Sequence, residues 1–324
     1  MVKFRSQFIA KDVGLYPDRI LRFHEDDQYS ISIEIEKINN HDLYRGGGQV
    51  GDLLITAHTH KKPTRKIEQW LINPGQPLPI EFEKFAEEIG IALSNSVLKL
   101  LKQLRWRNGY RNSYQPSMLC WKLEWCVEDG EWSQVIKIGA DGGTISIIGL
   151  TPVSEKLITE VNELRQKDFT EPLYHELFQE AWNQKNWNNP NSALVIAIAA
   201  AETGIKHLVA KLVPNSEWLI QNIQSPPIVK ILKEYLPLIT SETRISGLPL
   251  PPLPESLIAN IEKGVNLRNQ IVHGKKVSLK RETLENILKT IDDLLYILDL
   301  YEGNLWALEN ISYKTHAEWL PGNP

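Results

Sequence analysis

At 324 residues the chain is long enough for two domains with separate cores, and its 42% apolar and 23% charged content excludes wholesale disorder. A net charge of −4 with a pI near 6.1 excludes a general nucleic-acid coat, so any contact with nucleic acid must come from a local basic patch. Two cysteines, a start that carries Lys3 and Arg5 without a long apolar run, and no stretch approaching the roughly 18 apolar residues of a membrane span predict a soluble cytoplasmic protein.

The first half predicts an α+β domain over residues 1–151. Residues 29–38 alternate, with Ile31, Ile33 and Ile35 on one face and Ser32, Glu34 and Glu36 on the other, as a half-buried strand requires. Residues 50–58, 118–127, 132–138 and 144–150 also read as strands, and Asp129-Gly130 and Asp141-Gly142-Gly143 carry turn chemistry between the last three. Residues 80–104 place Phe82, Phe85, Ile89, Leu93, Val97, Leu100, Leu101 and Leu104 at helical spacing, with Pro79 and Glu81 at its start. An antiparallel sheet packed by one helix follows.

From Ser154 onward strand signals nearly vanish, and residues 152–324 predict an all-α helical bundle. Candidate helices cover 154–167, 170–186, 191–212, 226–236, 254–273 and 279–302. The 191–212 helix starts at Pro190-Asn191-Ser192 and is apolar on every side through residue 201, which predicts burial in the middle of the bundle. The 279–302 helix is amphipathic, with Ser278 as its expected cap. Residues 247–254 hold four prolines and read as a stiff connection.

The chemistry concentrates in Arg268-Asn269-Gln270-Ile271-Val272-His273, followed by Gly274. Arg offers a permanent charge and a planar fork that matches phosphate oxygens. His exchanges a proton near neutral pH, and Asn can orient a hydroxyl or a phosphate oxygen. Asn269 and His273 share a helix face, whereas Arg268 lies about 140° from His273 around an ideal helix. Gly274 is the expected residue after the helix end, which puts His273 in the last turn, a place that suits proton donation. Lys263, Lys275, Lys276, Lys280 and Arg281 cluster around the motif as the candidate phosphate-backbone patch. Glu202, in an otherwise apolar helix, needs a partner; Lys206 four residues on and Arg268 across the bundle both qualify.

The segment Ala199-Ala200-Ala201-Glu202-Thr203-Gly204-Ile205-Lys206, a Pro-rich loop and Arg268-Asn269-x-x-x-His273-Gly274 resemble the HEPN superfamily over roughly residues 165–305. The resemblance implies a helical bundle that dimerises, with Arg and His of both subunits lining a cleft, and many members are metal-independent endoribonucleases. Carried onto this sequence, Arg268 would bind the scissile phosphate, His273 would act as general base or general acid, Asn269 would position the substrate, and the product would be a cyclic 2′,3′-phosphate. No cofactor or metal is implied. The expected partners are RNA, a second copy of the chain and an antitoxin or regulatory partner, with a role in bacterial stress or phage defence. The alternative is a non-catalytic dimerisation, nucleotide-binding or sensor bundle.

Other motifs weigh less. Residues 45–52 are glycine-rich but lack the Lys-Ser/Thr of a P-loop. His58 and His60 share a strand face without an evident third ligand. Cys120 and Cys126 are roughly 20 Å apart on an extended strand, too far to pair. Trp106, Arg107, Tyr110, Arg111 and Tyr114 form an aromatic–basic run, read as loop packing in preference to a base-stacking surface.

Overall fold

The computed structural model describes residues 1–10, 15–25, 29–38, 53–72, 80–109, 111, 118–127, 132–136, 151–152, 154–222, 226–240, 244–245 and 248–320. The chain forms two compact units, Met1–Glu171 and Pro172–Pro324.

The first unit contains the strands β1 (Val2–Ala10), β2 (Leu15–Tyr16), β3 (Leu21–Glu25), β4 (Ile31–Lys37), β5 (Leu53–Lys61), β6 (Met118–Val127), β7 (Ser133–Ile136) and β8 (Thr151–Pro152), and the helices α1 (Arg65–Ile72), α2 (Ile80–Asn108) and α3 (Glu155–Gln166). Six strands make one sheet in the order β3-β4-β5-β1-β6-β7, with antiparallel pairing throughout. Strand alternation puts Phe4, Phe23, Ile31, Ile33, Ile35, Ile55 and Ala57 on the face that packs α2 through Phe82, Ile89, Leu93, Val97, Leu100 and Leu101. The amphipathic α1 adds Ile67, and Trp70 meets Phe82 at 5.0 Å and Trp125 at 6.0 Å between ring centroids. Residues 144–150 and the two glycine turns lie outside the described residues, as do residues 45–52; β6 and β7 nevertheless pair as a hairpin requires.

The domain border predicted at residue 151 moves to residue 171. The helix predicted over 154–167 is α3, capped by the Ser154 hydroxyl, which accepts from Leu157 N at 3.1 Å. It packs with the sheet unit through Leu157 and Val161. Arg165 fixes it there. Its buried guanidinium donates to Glu25 Oε2 (2.9 Å), Ser96 Oγ (3.0 Å), Gln103 Oε1 (3.2 Å) and the His24 carbonyl (3.2 Å). A buried guanidinium is tolerable only with such a full set of acceptors, and all of these acceptors lie on α2 or β3.

The second unit is helical: α4 (Leu173–Asn186), α5 (Pro190–Leu212), α6 (Glu217–Asn222), α7 (Ile228–Lys230), α8 (Leu236–Ile239), α9 (Glu255–Val272), α10 (Arg281–Tyr301) and α11 (Tyr313–Trp319), with a two-strand ribbon of β9 (Arg244–Ile245) and β10 (Leu248–Pro249). A π-turn at Ile231–Tyr235 joins α7 to α8, so the helix predicted over 226–236 is longer and widened just before Pro237. Proline has no N–H to bond back one turn, and a local change of winding accommodates that loss. Leu248 and Pro249 of the Pro-rich run pair in the ribbon, and Trp319 Nε1 donates to the Pro251 carbonyl at 2.9 Å.

Three expectations for the bundle change. α5 is not buried all round: Ala193, Leu194, Ala197, Ile198, Ala201, Ile205 and Leu208 are buried, whereas Val195, Ile196, Ala199, Glu202, Thr203 and Lys206 are half-buried. α5 is also long and apolar enough to cross a membrane, contrary to the sequence expectation; its buried face packs against α4, α9 and α10. The cap of α10 is Lys280, without a side-chain hydrogen bond, in place of Ser278.

Candidate functional site

The motif occupies the last turns of α9. This helix buries Leu257, Ile258, Ile261 and Gly264 on one face, the spacing expected of a one-sided helix. Gly264 sits at a close approach: a Cβ there would lie 3.0 Å from Ile287 Cγ2 on α10 and 3.1 Å from Ile198 Cδ1 on α5. The bare backbone lets α9 settle against both neighbours, and one turn further Arg268 reaches α5. Its Nη2 stands 3.6 Å from Glu202 Oε1 and its Nη1 donates to Asn269 Oδ1 at 3.0 Å. Arg268 Nε is buried without a hydrogen-bond partner. Arg268 is thus the cross-bundle partner of Glu202, and Asn269 orients the guanidinium through its own carbonyl oxygen.

The helix ends as the glycine predicts. His273 is the C-cap residue (φ −84°, ψ 16°) and Gly274 has φ +76°, a conformation that favours glycine. Gly274 N–H donates to the Ile271 carbonyl and Lys275 N–H to the Gln270 carbonyl, both at 2.9 Å, the paired bonds of a Schellman end. His273 faces solvent. Lys275, Lys276 and Lys280 follow on an exposed loop, and Arg281, 86% exposed, pairs with Glu285 at 3.1 Å. Lys263 is exposed further back on α9.

The structure therefore gathers Arg268, Asn269 and Glu202 into one cluster and leaves His273 outside it. Five residues of helix separate Arg268 from His273 by about 7.5 Å of rise, and Arg268 turns inward while His273 turns outward. Their side chains do not converge within the chain.

Four helix ends share one end of the bundle. Lys185, near the end of α4, reaches Glu285 in the second turn of α10 at 3.3 Å, whereas Tyr174 and His175, at the start of α4, reach Asp299 near the end of α10. α4 and α10 are thus antiparallel, so the α4–α5 corner lies at the same end as the loop that joins His273 to α10.

The opposite end holds a buried polar network that sequence reading missed. Tyr174 Oη donates to Asp299 Oδ1 at 2.5 Å, and His175 Nε2 lies 2.8 Å from Asp299 Oδ2. All three residues are within 1% of complete burial. Burial, and then Asp299, push the Tyr174 phenol well above its usual range. Nearby, Glu302 meets His207 at 3.2 Å and Lys211 at 2.8 Å. Burial raises the Glu302 pKa, but the two cations outweigh it and hold the carboxyl below its ordinary value; contact with Glu302 raises the His207 pKa against the opposing effect of burial. His207 is both paired and half-exposed.

In the aromatic–basic run, Trp106 and Arg107 are buried at the end of α2 and Arg107 pairs with Glu160, so neither offers a stacking face; Tyr110 and Tyr114 lie outside the described residues. Among the described residues no group of three or more His, Cys, Asp or Glu is placed to hold a metal. Cys126 is buried. No family model matches the chain, nor does any curated protein or solved structure.

Proposed function

We propose that the chain is a HEPN-type metal-independent endoribonuclease that acts as a homodimer, with Arg268, Asn269 and His273 at its site and the first unit serving target selection or restraint. The observation that carries this reading is an exposed imidazole at a helix end beside Lys275, Lys276, Lys280 and Arg281, with an arginine whose Nε has no hydrogen-bond partner on the same helix. A ribose 2′-hydroxyl would attack the adjacent phosphorus, lose its proton to a base and expel the 5′-oxygen, which takes a proton from an acid. A cyclic 2′,3′-phosphate and a 5′-hydroxyl result. Arg268 would stabilise charge building on the phosphoryl oxygens, and His273 would serve one of the proton transfers. Because the two side chains diverge within one subunit, this reading needs a second copy to bring an Arg268 opposite an His273.

The Arg268–Glu202 pair favours a second reading, in which the bundle is a non-catalytic dimerisation or nucleotide-binding unit and Arg268 ties α9 to α5. Purified protein incubated with RNA in EDTA, beside His273→Ala and Arg268→Ala, separates the two. Cleavage by the wild type alone, with cyclic phosphate ends, supports the nuclease. No cleavage of several RNAs by any of the three supports the second reading, and equal cleavage by all three assigns the activity elsewhere.

A further inference from the structure

We propose that the α4–α5 corner is a base-stacking platform for single-stranded RNA, with Trp187 as the stacking residue. The inference rests on the RNA-directed reading of the motif and adds where an unpaired nucleotide beside the bound phosphate lies.

Trp187 is 51% exposed although indole is costly to leave in water. The backbone that carries it is well fixed. Trp187 is the C-cap of α4, Asn188 takes φ +60°, and Asn189 N–H closes onto the Gln184 carbonyl at 2.8 Å. Side-chain amides brace the same corner: Asn189 Nδ2 donates to Gln184 Oε1 (3.0 Å), Gln184 Nε2 to Glu180 Oε1 (2.8 Å) and Asn183 Nδ2 to Glu180 Oε2 (3.1 Å). Lys185 sits 4.2 Å over the Trp182 ring and binds Glu285, which ties the corner to the start of α10. A flat apolar side chain held on a rigid mount gives up little conformational entropy on binding.

What surrounds this indole selects its occupant. The corner shares its end of the bundle with Lys275, Lys276, Lys280 and Arg281. Of the acidic side chains at the start of α10, Glu285 is engaged by Lys185 and Arg281, which leaves Glu282 in opposition. Exposed cations at the same end of the bundle as a half-exposed indole fit a polyanion that also presents flat rings, and an unpaired nucleic-acid strand has both. A duplex keeps its bases stacked on each other and meets only the cations.

The test uses the full chain carrying His273→Ala, which bars cleavage on the proposed mechanism, with a fluorescein-labelled 12-nucleotide RNA offered single-stranded or as a duplex. Trp187→Ala is expected to weaken single-strand binding by about tenfold or more and to leave duplex binding unchanged, while Trp187→Phe stays close to the parent. Unchanged single-strand binding in Trp187→Ala overturns the proposal, as does an equal loss for both RNA forms. Lysine variants that weaken both forms while Trp187→Ala changes neither overturn it too, since binding is then charge alone. Single-strand binding that depends on Trp187 in a protein that never cleaves RNA upholds the platform and refutes the nuclease. Wild-type cleavage with a KM indifferent to Trp187→Ala does the reverse.

Discussion

Asp299 is the side chain on which the far end of the bundle depends. It is completely buried and receives the Tyr174 hydroxyl and the His175 imidazole, themselves buried. Asp299→Ala leaves both without this partner, and a buried polar group so stranded costs about 1–3 kcal/mol. With the small void added, the loss is about 4 kcal/mol, in the range for breaking a buried polar pair by removing one member. Asp299→Asn is milder. Its carbonyl oxygen still accepts from Tyr174, and its amide N–H can donate to His175 Nε2 when the imidazole proton sits on Nδ1, which points to a cost of about 1.5 kcal/mol. Hydrogen–deuterium exchange of peptides from α4 and α10 reads the effect where it arises. At 1.4 kcal/mol per tenfold, core amides should exchange about a thousandfold faster in Asp299→Ala and about tenfold faster in Asp299→Asn. If Asp299→Ala exchanges within tenfold of the wild type, the network does not hold the helices as argued.

Arg165→Ala should destabilise the first unit by about 3–5 kcal/mol, and residues 1–171 should give a dispersed amide NMR spectrum where residues 1–151 do not. The His207–Glu302 contact has a pH window. Glu302, with its pKa lowered from 4.5, contributes fully above that value and loses its contribution as pH falls through the folded-state pKa. His207, with its pKa raised from 6.5, contributes fully below that value and loses its contribution as pH rises through the folded-state pKa. His207→Gln should therefore lower the urea midpoint at pH 5.5 more than at pH 8.5, by an amount reduced by the exposure of His207; equal shifts would discard the pair. Gly274→Ala, forced to φ +76°, should cost about 1 kcal/mol in denaturant titrations. Arg268→Lys keeps the charge and loses the fork, so on the proposed chemistry cleavage should fall about a hundredfold, and a variant as fast as wild type would remove Arg268 from the site.

Legibility followed local pattern. The alternation around Ile31, Ile33 and Ile35 and the apolar spacing of α2 and α10 appear in the structure within a few residues of their expected bounds, because each element's own hydrophobic period specifies it. Gly274 marked its helix end correctly for the same local reason. β1 shows the same alternation in Val2, Phe4 and Phe8, but Lys3 and Arg5 break up its apolar signal, and only pairing with β5 and β6 makes it a central strand. Pairs such as Glu202 with Arg268 could be narrowed to two choices by sequence. Tyr174, His175 and Asp299 could not be found at all, since some 125 residues separate the partners and no spacing rule spans that distance. The motif's residue types and the divergence of Arg268 from His273 around the helix were legible, but which of the two turns inward needed the packing of α9 at Gly264.

The Arg165 hub sets an order of events during synthesis. Domains fold as the chain emerges, N-terminal parts first, and β1, the strand between β5 and β6, is made before both of its neighbours. Yet Glu25 on β3 and Ser96 and Gln103 on α2 wait for a guanidinium encoded some 60 to 140 residues later. Until residue 165 has left the ribosome, the sheet can pair and α2 can collapse onto it with Lys99 beside Glu25, but Ser96 and Gln103 lack the guanidinium that completes the junction. Completion of the first unit is thereby coupled to the arrival of α3, and the nascent chain passes through a stage in which its apolar layers are assembled before they are locked.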